Sequence, residues 1–129
     1  MKTCAAVLGM IGLFASTAQA VTLTRVVVAG GRLELGGFST INPDCTAHGY
    51  PDIRVTNAPQ HGAVASRKGQ VIEFFSPNHP LHDCSRRRVS GVYVDYRPER
   101  GFTGTDYFTV DIIFPTGMER AVDYEVIVK

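Results

Sequence analysis

Beyond Phe14 the chain has no apolar run long enough to form a membrane-crossing helix, and the run that ends there, from Ala5, is itself too short. No transmembrane segment is therefore expected. Also missing are the short patterns that announce common chemistries: there is no G-x-S-x-G, no H-E-x-x-H, no phosphate-cradling Gly-Lys loop and no C-x-x-C. No stretch repeats apolar residues at helical spacing over a convincing length, and no low-complexity tract interrupts the chain. An excess of one charge is absent as well. With Lys2 set aside as part of a leader, 12 basic residues face 12 acidic ones, so nothing in the overall charge attracts nucleic acid or anionic lipid.

What is present begins with Met1-Lys2, the apolar run, and Ala18-Gln19-Ala20 ahead of Val21. Together they read as a secretory signal peptide over residues 1–20, with the small residues a signal peptidase needs. The protein is thus expected outside the cytoplasm, secreted or periplasmic. Residues 21–129 number 109, the size of one domain with a single core. Cys4 departs with the leader, and because it precedes the apolar run it is not placed as a lipid anchor. Cys45 and Cys84 remain, and an even pair in a small exported domain is most simply a disulfide. Closing a loop of about 40 residues stabilises a fold by roughly 4 kcal/mol in the chain-entropy model. That is a large share of the about 5–15 kcal/mol that holds a domain together.

The rest of the chain reads as about seven to eight short strands. Val21 to Ala29 is rich in β-branched residues and stops at Gly30-Gly31; Arg32 to Leu35 follows as a second strand. Gly36 to Pro51 has no sustained period and reads as a long loop bearing Cys45. Ile53 to Thr56 gives a third strand, and Gly62 to Ser66 with Gln70 to Phe75 a hairpin around Arg67-Lys68-Gly69. Ser76 to Arg88 is a second long loop, carrying Cys84. Val92, Val94 and Tyr96, then Phe108, Val110, Ile112 and Phe114, then Val122, Tyr124, Val126 and Val128 each alternate with more polar neighbours, the period of half-buried strands. Such spacing favours an immunoglobulin-like antiparallel β-sandwich.

The stretch Y-R-P-E-R-G-F-T-G-T-D-Y-F-T-V, from Tyr96 to Val110, resembles the signature of the cadherin-like, immunoglobulin-type repeats common in exported bacterial proteins. Its upstream companion in that family, P-x-H-G followed by small and β-branched residues, is matched by Pro59-Gln60-His61-Gly62-Ala63-Val64. The likeness covers roughly Pro51 to Lys129. It implies a fold rather than an activity, since its residues are turn formers and core aromatics. The family's D-x-x-G after the long strand is replaced by Phe114-Pro115-Thr116-Gly117. Calcium often sits between consecutive cadherin-like repeats, but a lone domain has no neighbour to complete such a site. Asp106 alone supplies too few oxygens and is expected to cap its turn, so no cofactor is expected.

Three groups of side chains carry candidate chemistry. His79, His82 and Asp83 lie in N-H-P-L-H-D-C and are suitable ligands for zinc or copper, which makes a metal-binding protein the alternative function; the other reading is a solvated loop pinned by Cys84. His61 has the chemistry of a general base but no nucleophile in a reactive context beside it, so no enzyme is expected. Arg86, Arg87 and Arg88 are the densest charge in the mature chain. They are suited to docking an acidic surface or another envelope or extracellular protein, or else they are a solvated approach to a strand that guards a sheet edge. The expected protein is a monomeric, exported, non-catalytic interaction or structural module.

Overall fold

A computed structural model describes residues 20–129. Residues 1–19, nearly all of the expected leader, lie outside the described residues. Seven strands form, β1 Val21–Val27, β2 Leu33–Phe38, β3 Asp52–Asn57, β4 Gly62–Ile72, β5 Arg88–Pro98, β6 Gly104–Ile113 and β7 Glu119–Val128. One 3-10 turn, His82–Cys84, is the only helical piece among the described residues. The strands build two sheets, one ordered β1-β7-β6-β3 and one ordered β2-β5-β4. The result is an all-β sandwich. Every pairing is antiparallel except that of β1 with β7, which runs parallel from Val21 opposite Val122 to Val27 opposite Val128.

The alternating residues meet between the sheets. Val94 and Tyr96 of β5 face Phe108, Val110 and Ile112 of β6 and Val122, Tyr124 and Val126 of β7, all almost wholly buried. Three rings stack through this core, Tyr96 on Phe108 at 5.3 Å and Phe108 on Tyr124 at 5.2 Å between centroids. Burying a side chain of this size contributes about 1.5–3 kcal/mol, and stacked aromatic pairs add to it.

The hairpin expected at Arg67-Lys68-Gly69 does not form. β4 runs unbroken for 11 residues and pairs with β5 from Gly62 opposite Pro98 to Ile72 opposite Arg88. Gly69 has no left-handed backbone angle. Its missing side chain serves a different purpose: a Cβ there would lie 3.2 Å from the ring of Tyr93, which is held on the outer face by Arg67 at 4.3 Å and by donating to the Gln70 carbonyl at 2.7 Å. A glycine that clears space for a cross-strand ring looks, in sequence, like a turn glycine.

The sandwich has two dissimilar ends. At one, connections over residues 28–32, 58–61 and 99–103 are short, and Asp106 ties the second of them to the ends of β5 and β6. It does more than cap its own turn: its carboxylate accepts from the amides of Gln60 and His61 at 3.0 Å each, from the Tyr96 hydroxyl at 2.9 Å, and from the Tyr107 amide at 3.1 Å. The His61 ring stacks flat on Phe102 at 4.3 Å, and the Glu99 amide donates to the His61 carbonyl at 2.8 Å. Gly62 passes beneath the Tyr96 ring, where a Cβ would stand 2.5 Å from a ring carbon. Both halves of the P-x-H-G and Y-x-P-x-x-G-F-x-G-T-D pattern therefore converge on one buried carboxylate. Burial first, and the Asp106 carboxylate second, push the Tyr96 phenol well above the usual tyrosine range.

Candidate functional site

At the opposite end the long connections over residues 39–51 and 73–87 meet the β6–β7 turn. Cys45 and Cys84 are joined, with 2.07 Å between the sulfurs, and Cys84 is 2 % exposed. The first loop is shaped locally by Asp44, whose Oδ1 accepts from the Thr46 hydroxyl at 2.6 Å and the Thr46 amide at 3.0 Å. Those two bonds, the hydroxyl first, hold the Asp44 carboxyl below its ordinary range. Cys45 takes a left-handed backbone angle in this turn, φ 67°. The second loop closes on itself through Phe75, whose amide donates to Ser85 Oγ at 3.0 Å and whose carbonyl lies 3.1 Å from His82 Nδ1. The two loops are tied again where Ser39 Oγ donates to Glu73 Oε1 at 2.9 Å.

Between the loops and the turn lies a groove of about 410 Å³. Phe38 comes from the end of β2 and Ile41 from the first loop, Phe75 and Leu81 from the second, and Phe114 and Met118 from the β6–β7 turn, with Glu73 and Arg120 among the polar groups. The Arg120 guanidinium sits 5.8 Å from the Phe114 ring centroid. Thr40, also in the lining, has a buried hydroxyl that finds no hydrogen-bond partner. Apolar walls with a few placed polar groups are the make-up of a ligand-binding concavity. Around it Phe74, at 73 % exposed, and Met118, at 65 %, leave apolar surface in solvent.

The residues singled out by sequence fall unevenly on this geometry. Arg86, Arg87 and Arg88 are all exposed at the groove end but do not line the groove. They do not guard a sheet edge either, because Arg88 opens β5, the middle strand of its sheet. Arg86 holds a left-handed angle, φ 66°, and its amide donates to the Glu73 carbonyl at 3.0 Å. His79, His82 and Asp83 are not brought together as a ligand set: no group of three or more His, Cys, Asp or Glu side chains suited to a metal occurs among the described residues. The His79 ring stacks on Phe75 at 4.7 Å and its Nδ1 accepts from the Leu81 amide at 3.0 Å, so the imidazoles fold the loop.

Sequence reasoning missed Phe114, Met118 and Arg120. The signal was F-P-T-G standing where the repeats that the sequence resembles have D-x-x-G, at the place where β6 hands over to its turn. No protein-family model matches the chain, and no curated protein matches it to a significant degree. No helix among the described residues is long and apolar enough to cross a membrane.

Proposed function

We propose that this protein is an immunoglobulin-like, cadherin-like module of the exported kind, acting without catalysis by binding a partner at its disulfide-tied end. The order β2-β5-β4 opposite β1-β7-β6-β3, and the convergence of both family half-motifs on Asp106, support the fold assignment. A joined cysteine pair supports an oxidising compartment. His61 is committed to stacking on Phe102 and to the turn, a structural role that accounts for it without catalysis.

The observation that carries the binding role is the groove of about 410 Å³, walled by three separate connections and held open by a disulfide. Loops on a rigid scaffold are where recognition concentrates, and a cross-link lowers the ordering cost of docking. Arg86, Arg87 and Arg88 stand outside the groove as electrostatic anchors for an acidic partner surface. The test is a photo-crosslinking side chain placed at Met118 and, as a control, at Tyr107, which is 60 % exposed on an outer sheet face. In producing cells a discrete adduct is expected from position 118 and not from 107, with its yield reduced in the triple variant Arg86→Ala, Arg87→Ala, Arg88→Ala. The same adducts from both positions, or none from 118, would count against the groove.

A further inference from the structure

The tight end of the sandwich carries a second concavity, and its chemistry differs from that of the groove. It measures about 540 Å³ and is lined by two glycine turns and three arginines, Arg32, Arg97 and Arg100. No carboxylate lines it. Three guanidinium groups brought to one wall repel one another unless something neutralises them.

The neighbouring acidic side chains do not. Asp95 Oδ2 accepts from both Arg32, at 2.7 Å, and Arg67, at 2.9 Å, and Glu34 pairs with Arg67 at 2.6 Å. Two arginines and two carboxylates thus form a neutral network, so the excess charge of the cavity belongs to Arg97 and Arg100. Neither makes an ion pair among the described residues. Glu99 lies between Pro98 and Arg100 in sequence but does not line the cavity.

The backbone adds donors. The amides of Gly30, Arg100 and Gly101 donate to no backbone carbonyl and no side chain among the described residues. Apart from the adjacent residues, no atom lies within 4 Å of where a side chain would begin on Gly30 or Gly101, so a ligand can reach the main chain there. Guanidinium forks combined with free amides match an anion that offers several oxygens at once. One carboxylate would satisfy a single fork; a phosphate satisfies several. The volume leaves room for the group to which the phosphate is attached.

We propose that this cavity binds a phosphate-bearing ligand, with Arg97 and Arg100 supplying the charge and the Gly30 and Gly101 turns supplying amide donors. The site is independent of the groove, since it lies at the other end of the sandwich and shares no residue with it.

The test follows backbone amide resonances of the mature protein at low ionic strength during titration with inorganic phosphate, with glycerol phosphate, and with phosphatidylglycerol vesicles. Saturable shifts at Gly30 to Arg32 and Arg100 to Gly101 are expected. The double variant Arg97→Ala, Arg100→Ala should bind about tenfold or more weakly, as expected for losing two charge-assisted contacts, with an unchanged melting temperature because both residues are exposed. The charge-matched double variant Arg25→Ala, Arg54→Ala should bind like the original protein. Saturation by glycerol phosphate identifies a soluble phosphate ester as the ligand class; saturation by vesicles alone identifies a lipid head group. Shifts that never saturate in any titration, or equal weakening in both double variants, would overturn the site and leave only diffuse charge attraction.

Discussion

The two ends of this sandwich solve the same problem in opposite ways. At the tight end one buried carboxylate binds a short connection to the neighbouring strands through the amides of Gln60 and His61 and the Tyr96 hydroxyl, and the His61 ring stacks on Phe102. At the loop end two of the connections are long, most of their hydrogen bonds are local, and a covalent bond joins the two loops beside the single Ser39–Glu73 contact. A buried carboxylate gathers short turns because each donor it satisfies would otherwise be buried unpaired. A disulfide restrains long loops chiefly by removing freedom from the unfolded chain, and so leaves the loop surface free to vary. The first device specifies a shape; the second permits a groove.

The largest effect is expected from removing the carboxylate. Asp106→Ala leaves three part-buried amides and one buried hydroxyl without their acceptor and should lower stability by roughly 3–5 kcal/mol, measured by denaturant unfolding. Asp106 is 2 % exposed, so water does not replace the lost acceptor. A loss below about 1 kcal/mol would show that the tight end is held by packing instead.

Cys84→Ala should cost about 2–5 kcal/mol, the usual loss for a native disulfide in a small domain. Where the loss falls sharpens the contrast. Hydrogen exchange should accelerate over residues 39–51 and 73–87 well before it does in β5 and β6, whereas Asp106→Ala should loosen both ends together. Uniform acceleration in the cysteine variant would mean that the loops and the core unfold as one unit.

The phenol of Tyr96 provides a pH test confined to the tight end. Its pKa is higher in the fold than in the unfolded chain, so the stabilisation is full below the unfolded value of about 10 and is lost as pH rises through the folded one. Stability should therefore hold to about pH 10 and then fall, with the unfolded chain releasing the proton first. Tyr96→Phe should cost about 1–3 kcal/mol at neutral pH by removing one donor to Asp106, and should flatten the alkaline fall. A residual slope is expected from Tyr124, whose phenol burial also raises. An unchanged alkaline profile in Tyr96→Phe would break the assignment.

The smallest effect is expected from the arginines. Changing Arg86, Arg87 and Arg88 together to alanine should leave stability within about 0.5 kcal/mol of the original, since all three are exposed and form no ion pair among the described residues. A melting temperature that drops sharply would assign them to the fold and remove them from recognition.

The strands of the core were legible because their signal is local. Phe108 to Ile112 and Val122 to Val128 alternate on their own, whatever they pair with, and both sets are buried as their period indicates. The cysteine pairing was legible by parity. Gly69 was misread because its reason lies on another strand, in the ring of Tyr93. The hydroxyl of Thr40, the side chain of Met118 and the guanidinium of Arg120 carry no pattern of their own, and they share a groove only because three distant connections end at the same face of the sandwich.

By itself, then, the sequence determined where the core strands lie, which of their faces are apolar, and which cysteines can join, because period, composition and count are properties of neighbours along the chain. Only the tertiary structure decided that β1 runs parallel to β7, that one carboxylate satisfies two halves of a motif 45 residues apart, and that Arg32 meets Arg97 and Arg100 at one cavity. Those facts depend on which strands become neighbours. That choice is made by the burial of all the faces at once, and no single segment encodes it.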